Sequence, residues 1–338
     1  MKKYFGFAIL FVTVYAQAQS FNIVDVNQIF RPSINVQLDQ TLPQKITDKS
    51  EGWLSLTQFK TSALIPVAGD LGMQVDIDWS RLRKPKEFFK NPQKWVRPKG
   101  YQVLINPSFN YIKPSFSKRP NTGGLVQYDI GALVLHYTKG PGAAFYGLNL
   151  GVAENTGFPG KITLRYSLYA GHFKVKNLKT QIFYGAAIVP GPRNLPIPVP
   201  FVGLNKKLNK KWRFDMLLPV QIGMIYKYNK RLKQYFNVGF NAINSGFYNG
   251  DGYWPAESER VDWSLLQLRF KTTLKYKVSK KFYLQLHGGV NSGSFMRVGY
   301  NNETVETEYL TPTLFFNVSA NVIFTKSIVF NLLEKLTE

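Results

Sequence analysis

Cysteine is absent from all 338 residues, which excludes disulfides, thiol catalysis and zinc–thiolate sites together. Histidine is nearly absent. His136, His172 and His287 are too few and too scattered to form a metal motif, and neither H-E-x-x-H nor G-x-S-x-G occurs. Acidic residues are scarce as well, 20 Asp and Glu against 43 Lys and Arg, for a formal charge of +23. No apolar run reaches the roughly 18 residues that a spanning helix needs. The chain is therefore expected to be no enzyme, with no catalytic residue, metal or cofactor.

The N-terminus does carry a signal. Lys2 and Lys3 form a basic n-region, Phe5 to Val14 an apolar stretch, and Ala16-Gln17-Ala18 a small-residue cleavage site. We expect residues 1–18 to be a cleaved signal peptide, 19–50 an N-terminal periplasmic segment, 51–324 the main domain and 325–338 a C-terminal tail. In that tail Ile328, Leu332 and Leu336 share one face of a short helix. Export also redirects the charge argument. A strongly basic chain seeks anionic partners, but outside the cytoplasm these are lipid head groups, polyanionic glycans or small anionic solutes, and no nucleic acid is expected.

What the chain has in abundance is alternation. In residues 265–278, "LLQLRFKTTLKYKV", Leu266, Leu268, Phe270, Thr272, Leu274 and Tyr276 hold one parity, and Gln267, Arg269, Lys271, Thr273, Lys275 and Lys277 the other. Such a strand has one oily and one cationic face. The pattern returns at 71–79, 101–111, 126–134, 144–152, 162–170, 282–290 and 314–324. Most of these segments match the roughly 9–11 residues of a tilted spanning strand and exceed the five or six of an ordinary one. The opposite parity is mostly small or polar, as a wet lumen requires.

Aromatics make up 15% of the chain. Trp53, Trp79, Trp212, Tyr228, Trp263 and Phe324 stand at segment ends, where rings with one apolar and one wet side form interface girdles. Short connections of one type, 175–183, 208–214, 229–238 and 278–286, alternate with long ones at 244–263 and 291–310. A long basic connection, 80–100, falls on the short-turn side. Even positions from Trp212 to Tyr228 are all apolar, and Pro219 breaks them into a hairpin. The expected fold is an all-β transmembrane up-and-down antiparallel barrel of about 14 strands, range 12–16, starting near Trp53 and ending near Phe324, in the outer membrane.

The run "NKKWRFDMLLPVQIGMIYKYNKRLKQYFNVGF" (209–240) resembles uncharacterised outer-membrane barrels of Bacteroidota, the domain of unknown function 6268. The likeness is clearest over residues 140–324. It implies a barrel in the outer membrane and carries no site residue. The fourteen residues after Phe324 depart from the usual aromatic ending of a barrel.

Candidate functional residues follow from parity. Arg165, Arg213, Lys227, Arg269, Lys271, Lys275 and Lys277 share the inward face, so they would either concentrate anions or order an internal salt-bridge lattice. Lys206, Lys207, Lys210, Lys211, Lys230, Arg231, Lys233, Lys280 and Lys281 belong to the periplasmic rim, facing lipid phosphates or simply water. Asp76, Asp78 and Asp215 read as counterions, "NGDGYW" (249–254) as a hairpin tip, and "VPGPRNLPIPVP" (189–200) as a stiff loop. The function expected is a pore or a membrane-embedded binding or assembly component with a cationic lumen. The rivals are an accessory barrel of a secretion machinery that binds a periplasmic or surface protein, a soluble β-sandwich binding anionic glycans, and a barrel lipid hydrolase needing a His such as His287.

Overall fold

A computed structural model describes residues 32–47, 52–75, 96–117, 123–137, 142–156, 162–177, 179–190, 196–248, 260–300 and 303–324. The signal segment, Asp76, Asp78, Trp79, the 325–338 tail and residues 81–95 lie outside them. The strands are β1 (Ser33–Lys45), β2 (Trp53–Val75), β3 (Val96–Phe116), β4 (Leu125–Tyr137), β5 (Gly142–Asn155), β6 (Thr163–Asn177), β7 (Thr180–Pro190), β8 (Pro196–Lys207), β9 (Trp212–Leu218), β10 (Gln221–Lys227), β11 (Leu232–Tyr248), β12 (Arg260–Lys277), β13 (Phe282–Tyr300), β14 (Glu303–Leu310) and β15 (Thr313–Ile323).

From β1 to β14 every neighbour in sequence is an antiparallel neighbour in space, and the sheet closes on itself because β1 pairs with β15 as well as with β2. β14 and β15 both pair with β13 and are successive pieces of one returning strand, interrupted at Thr311-Pro312. The result is a closed 14-stranded up-and-down barrel. A closed ring has no second sheet to pack against, so the sandwich rival is excluded.

Alternation sorts the two faces. Along β15, Thr313, Phe315, Asn317 and Ser319 are buried while Leu314, Phe316 and Val318 are exposed. The same outward apolar row runs through Ile34, Val36 and Leu38 on β1, Tyr128 and Ile130 on β4, Leu148 and Leu150 on β5, and Phe270, Leu274 and Tyr276 on β12. A soluble protein does not wrap itself in contiguous exposed Leu, Val, Ile and Phe, whereas hydrocarbon removes the cost. Within that solvent, each backbone amide must be paired by a neighbouring strand, which is what closure provides.

Several expectations change here. The barrel begins at Ser33, not near Trp53: residues 33–45, assigned above to a periplasmic segment, are the strand that closes the ring. The 189–200 stretch is not all loop, since β7 runs to Pro190 and β8 starts at Pro196, with residues 191–195 outside those described. Residues 96–100, the end of the expected basic loop, belong to β3. The long connections are shorter than expected: in 244–263 β11 continues to Tyr248 and β12 starts at Arg260, with 249–259, the expected hairpin tip included, outside the described residues, and in 291–310 β13 and β14 leave only residues 301–302 between them. Strands that extend past the lipid are wet on both faces, so they lose the alternation by which the eye finds them. The hairpin break at Leu217–Pro219 is as expected, with Pro219 and Val220 forming the turn between β9 and β10.

Three turns at the end of the barrel where β1 begins and β15 ends, the terminus side, share one design. Asn209 Oδ1 accepts hydrogen bonds from the Lys211 and Trp212 amides, both at 2.8 Å. Asn229 Oδ1 does the same for Arg231 and Leu232 at 2.8 and 2.9 Å, and Ser279 Oγ for Lys281 and Phe282 at 3.3 and 3.1 Å. A short polar side chain that caps amides two and three residues on is what these turns require. The residues between cap and strand, Lys210-Lys211, Lys230-Arg231 and Lys280-Lys281, are thereby carried to the tips.

The lipid assignment has a direct consequence for Leu286, which is 57% exposed and sits opposite the exposed Val318. Leu286→Arg should destabilise the barrel in phospholipid vesicles by about 2–4 kcal/mol in urea titrations. A solvent-facing leucine would tolerate the change within about 0.5 kcal/mol.

Candidate functional site in the barrel interior

All seven basic residues expected inside do lie on the inward parity of their strands. They are not equivalent. Arg165 on β6 reaches Asp129 on β4 at 3.4 Å, across Gly151 of the intervening β5. A Cβ at Gly151 would collide with the Asp129 carboxylate, so the glycine is what lets this pair meet across a strand. Arg269 on β12 donates from Nη1 to Asp39 Oδ2 at 2.9 Å and from Nε to Asn291 Oδ1 on β13 at 2.8 Å, with its guanidinium 4.0 Å above the Phe315 ring. Asp39 also accepts from Asn317 Nδ2 on β15 at 2.9 Å. One buried network therefore joins β1, β12, β13 and β15 across the closure of the ring.

The other cations are placed differently. The Lys275 and Lys277 ammonium groups lie 4.8 and 5.6 Å from the centre of the Tyr283 ring. Arg213 and Lys227 line a cleft at the terminus-side rim together with Lys207, Lys210, Lys211 and Lys233, floored by Trp212, Ile225 and Tyr235. Asp215 is buried beside Arg213 on the same face and accepts from Asn205 Nδ2 at 2.8 Å.

The inner wall is more apolar than expected of a simple wet lumen. Leu104, Leu133, Leu135, Phe145, Phe173, Val175, Phe183 and Leu217 form one buried cluster on β3 to β7 and β9, with Tyr169, Phe201 and Val220 packed against it. A second cluster, including Leu54, Ile112, Leu265 and Met296, none of them accessible, lines the β11-to-β4 arc. Across the interior, Cα atoms of β11 come within 8 Å of β5 and β6. Cross-strand register explains how four large rings fit on β5 to β8, because each of them faces a glycine. Phe145 pairs with Gly171, Gly147 with Tyr169, Gly185 with Phe201 and Phe183 with Gly203. A Cβ at Gly147 would run into the Tyr169 ring, and one at Gly171 would lie 2.6 Å from Phe145 and 3.0 Å from Phe201. The glycines let the rings lie flat, and Phe145 and Phe201 stack at 6.0 Å.

Of the histidines, only His287 faces inward. It is buried, with Nδ1 2.8 Å from Thr273 Oγ1 and Nε2 3.1 Å from Ser319 Oγ. The group beyond the histidine is a threonine, not the acid or amide that would orient a hydrolytic base. His136 is exposed and His172 stacks on outward Tyr184.

The girdle residues divide by end. Trp53 and Tyr228 are exposed, as is Phe324 beyond β15, and Trp212 packs on Tyr226, which meets Tyr228 edge-on. Trp79 and the Trp263 side chain lie outside the described residues. Sequence reading missed Asp39, Lys60 and Asp129 as inward charges. Asp39 was legible, since Ile34, Val36 and Leu38 alternate with Asn35, Gln37 and Asp39. The glycine–aromatic pairing was not, because it exists only once register is known.

No family model matches the chain, and no curated protein matches it. Solved structures that it resembles are outer-membrane barrels. An outer-membrane channel from Pseudomonas putida F1 is 11% identical with a TM-score of 0.40, covering 87% of this chain and 96% of that one. The P. putida toluene transporter TodX gives 9%, 0.30, 87% and 90%, and the beta domain of the Bordetella autotransporter BrkA 7%, 0.32, 87% and 100%.

Two outcomes follow from the interior. Asp39→Ala leaves the guanidinium of Arg269 buried without its carboxylate and should lower stability by about 3–5 kcal/mol in denaturant unfolding. Gly185→Val places side-chain atoms where the Phe201 ring lies and should cost about 1–3 kcal/mol by the same assay.

Proposed function

We propose that the chain is an outer-membrane channel with a cationic interior that admits small anionic solutes. The observation that supports this most is the sign of the inward charge. Lys60 and Lys233 join Arg165, Arg213, Lys227, Arg269, Lys271, Lys275 and Lys277 on the inner face, while the acids there, among the described side chains, are Asp39, Asp129, Asp215 and Glu308. A low-dielectric wall focuses such an excess into the lumen and raises the local anion concentration.

The two arginines bound to Asp129 and Asp39 hold the wall together; the cations nearer the terminus-side rim face the conduction path. The three turns that carry Lys210, Lys211, Lys230, Arg231, Lys280 and Lys281 extend this positive field to the surface, where each cation near lipid phosphate contributes on the order of 1 kcal/mol. Packed interior clusters and the approach of β11 to β5 and β6 are the features of a narrow, closed resting state.

Reversal potentials of the reconstituted protein in a salt gradient test the reading. Anion preference is expected, and Lys227→Glu together with Lys277→Glu, which leave the Asp39 and Asp129 pairs intact, should reduce or invert it. Cation preference in the unaltered protein would overturn it.

A further inference from the structure

The barrel wall has a notch. β9 and β10 are seven residues each, short of the roughly 9–11 residues that cross the hydrocarbon. Their turn at Pro219-Val220 comes just above the Val202–Leu218 and Gln221–Gly239 pairs. Beyond those pairs β8 runs on from Phe201 up to Pro196 and β11 from Phe240 to Tyr248, and among the described residues no strand pairs with either on the side facing the other. Three strand spacings, about 14 Å, separate β8 from β11 where both flank the hairpin.

The sequence of β8 is written for such an edge. The Lys207 amide donates to Lys179 ahead of β7, so odd residues of this regularly paired strand point their amides toward β7 and even residues point away from it. Pro196, Pro198 and Pro200 are the even residues above the hairpin. Proline has no N–H, so the donors that would be stranded in the notch are missing at all three positions. On the opposite lip the Phe240 amide is the last to be met by the hairpin, donating to Val220 O at 3.1 Å. Exposed Pro198, Pro200, Phe236, Val238 and Phe240 keep the outer surface beside the notch apolar, at the level of lipid.

The inner mouth is apolar too. Leu217 and Val220 on the sill and Phe201 on the β8 side belong to the cluster that continues inward through Phe183 and Phe145. Below Leu217, on the same inward face of β9, come Asp215, which accepts from Asn205 Nδ2, and then Arg213, about 13 Å along the strand, where Lys207, Lys227 and Lys233 join it in the rim cleft. An apolar entrance from lipid, followed past the Asn205-held Asp215 by a cluster of four cations, fits a molecule with an acyl tail and an anionic head.

We propose that the gap between β8 and β11 is a lateral portal through which an amphipathic anion passes between the lumen and the membrane. This rests on the reading of the chain as an anion channel and names its substrate class. The absence of cysteine from the chain makes the test clean. Pro198→Cys with Ala242→Cys places thiols on the two lips, to be bridged by a bis-maleimide after the folded barrel is confirmed by its heat-dependent gel migration. Entry of dodecyl phosphate and of inorganic phosphate into proteoliposomes is then compared, with protein-free vesicles as the baseline. Bridging should lower dodecyl phosphate entry by about tenfold, as for a closed gate, and leave inorganic phosphate entry unchanged. Unchanged dodecyl phosphate entry after bridging overturns the portal. Entry of inorganic phosphate alone, before any bridging, overturns the portal and leaves the anion channel standing; entry of neither overturns both.

Discussion

A sheet surrounded by hydrocarbon cannot leave its amides and carbonyls unpaired, and most of this structure follows from that constraint. Pairing β1 with β15 removes the two edges that an open sheet would present. The inner face of this closure carries the shorter of the two ion pairs described, with Asp39 held by Arg269 and Asn317. Charge buried at that place aligns four strands in one register, because Asp39 reaches its partners only when Asp39 is opposite Asn317 and Arg269 opposite Asn291. The ion pair is thus more an instrument of register than a source of net stability.

The same constraint gives meaning to the one hairpin that is too short. A gap in the wall would expose donors to lipid at several kcal/mol each. β8 meets it with proline at every second residue, on the side that has no neighbour. In a soluble protein such a strand would read as protection against edge-to-edge pairing. Here the prolines stand beside an apolar cluster of aromatic rings on the inner wall, several of which fit because glycines face them.

How far the sequence can be read depends on whether a feature is local. The period-two alternation of residues 265–278 needed no partner to be recognised, and the structure has Phe270, Leu274 and Tyr276 outside and Thr273 and Lys275 buried. The Asn-Lys-Lys-Trp turn is local as well, since its cap and its amides lie within four residues. Pairing across strands is not. Nothing in the chain says that Asp39 and Arg269, 230 residues apart, meet, nor that Gly185 faces Phe201. The proline-rich stretch misled for a related reason: proline is common in loops, and only the identity of the neighbour reveals that these three amides had nothing to bond. The inward leucines and phenylalanines were hidden by the assumption that an inner face is a wet one.

The central claim is that consecutive side chains of one strand meet different solvents. Single cysteines at Phe270, Lys271, Thr272, Thr273, Leu274 and Lys275 of β12, each carrying a nitroxide in vesicle-reconstituted protein, would read this directly. Collision with oxygen dissolved in the lipid should be high at Phe270, Thr272 and Leu274 and low at Lys271, Thr273 and Lys275. Uniform collision rates along the strand, or the opposite alternation, would contradict the barrel's inside-out assignment and the function built on it.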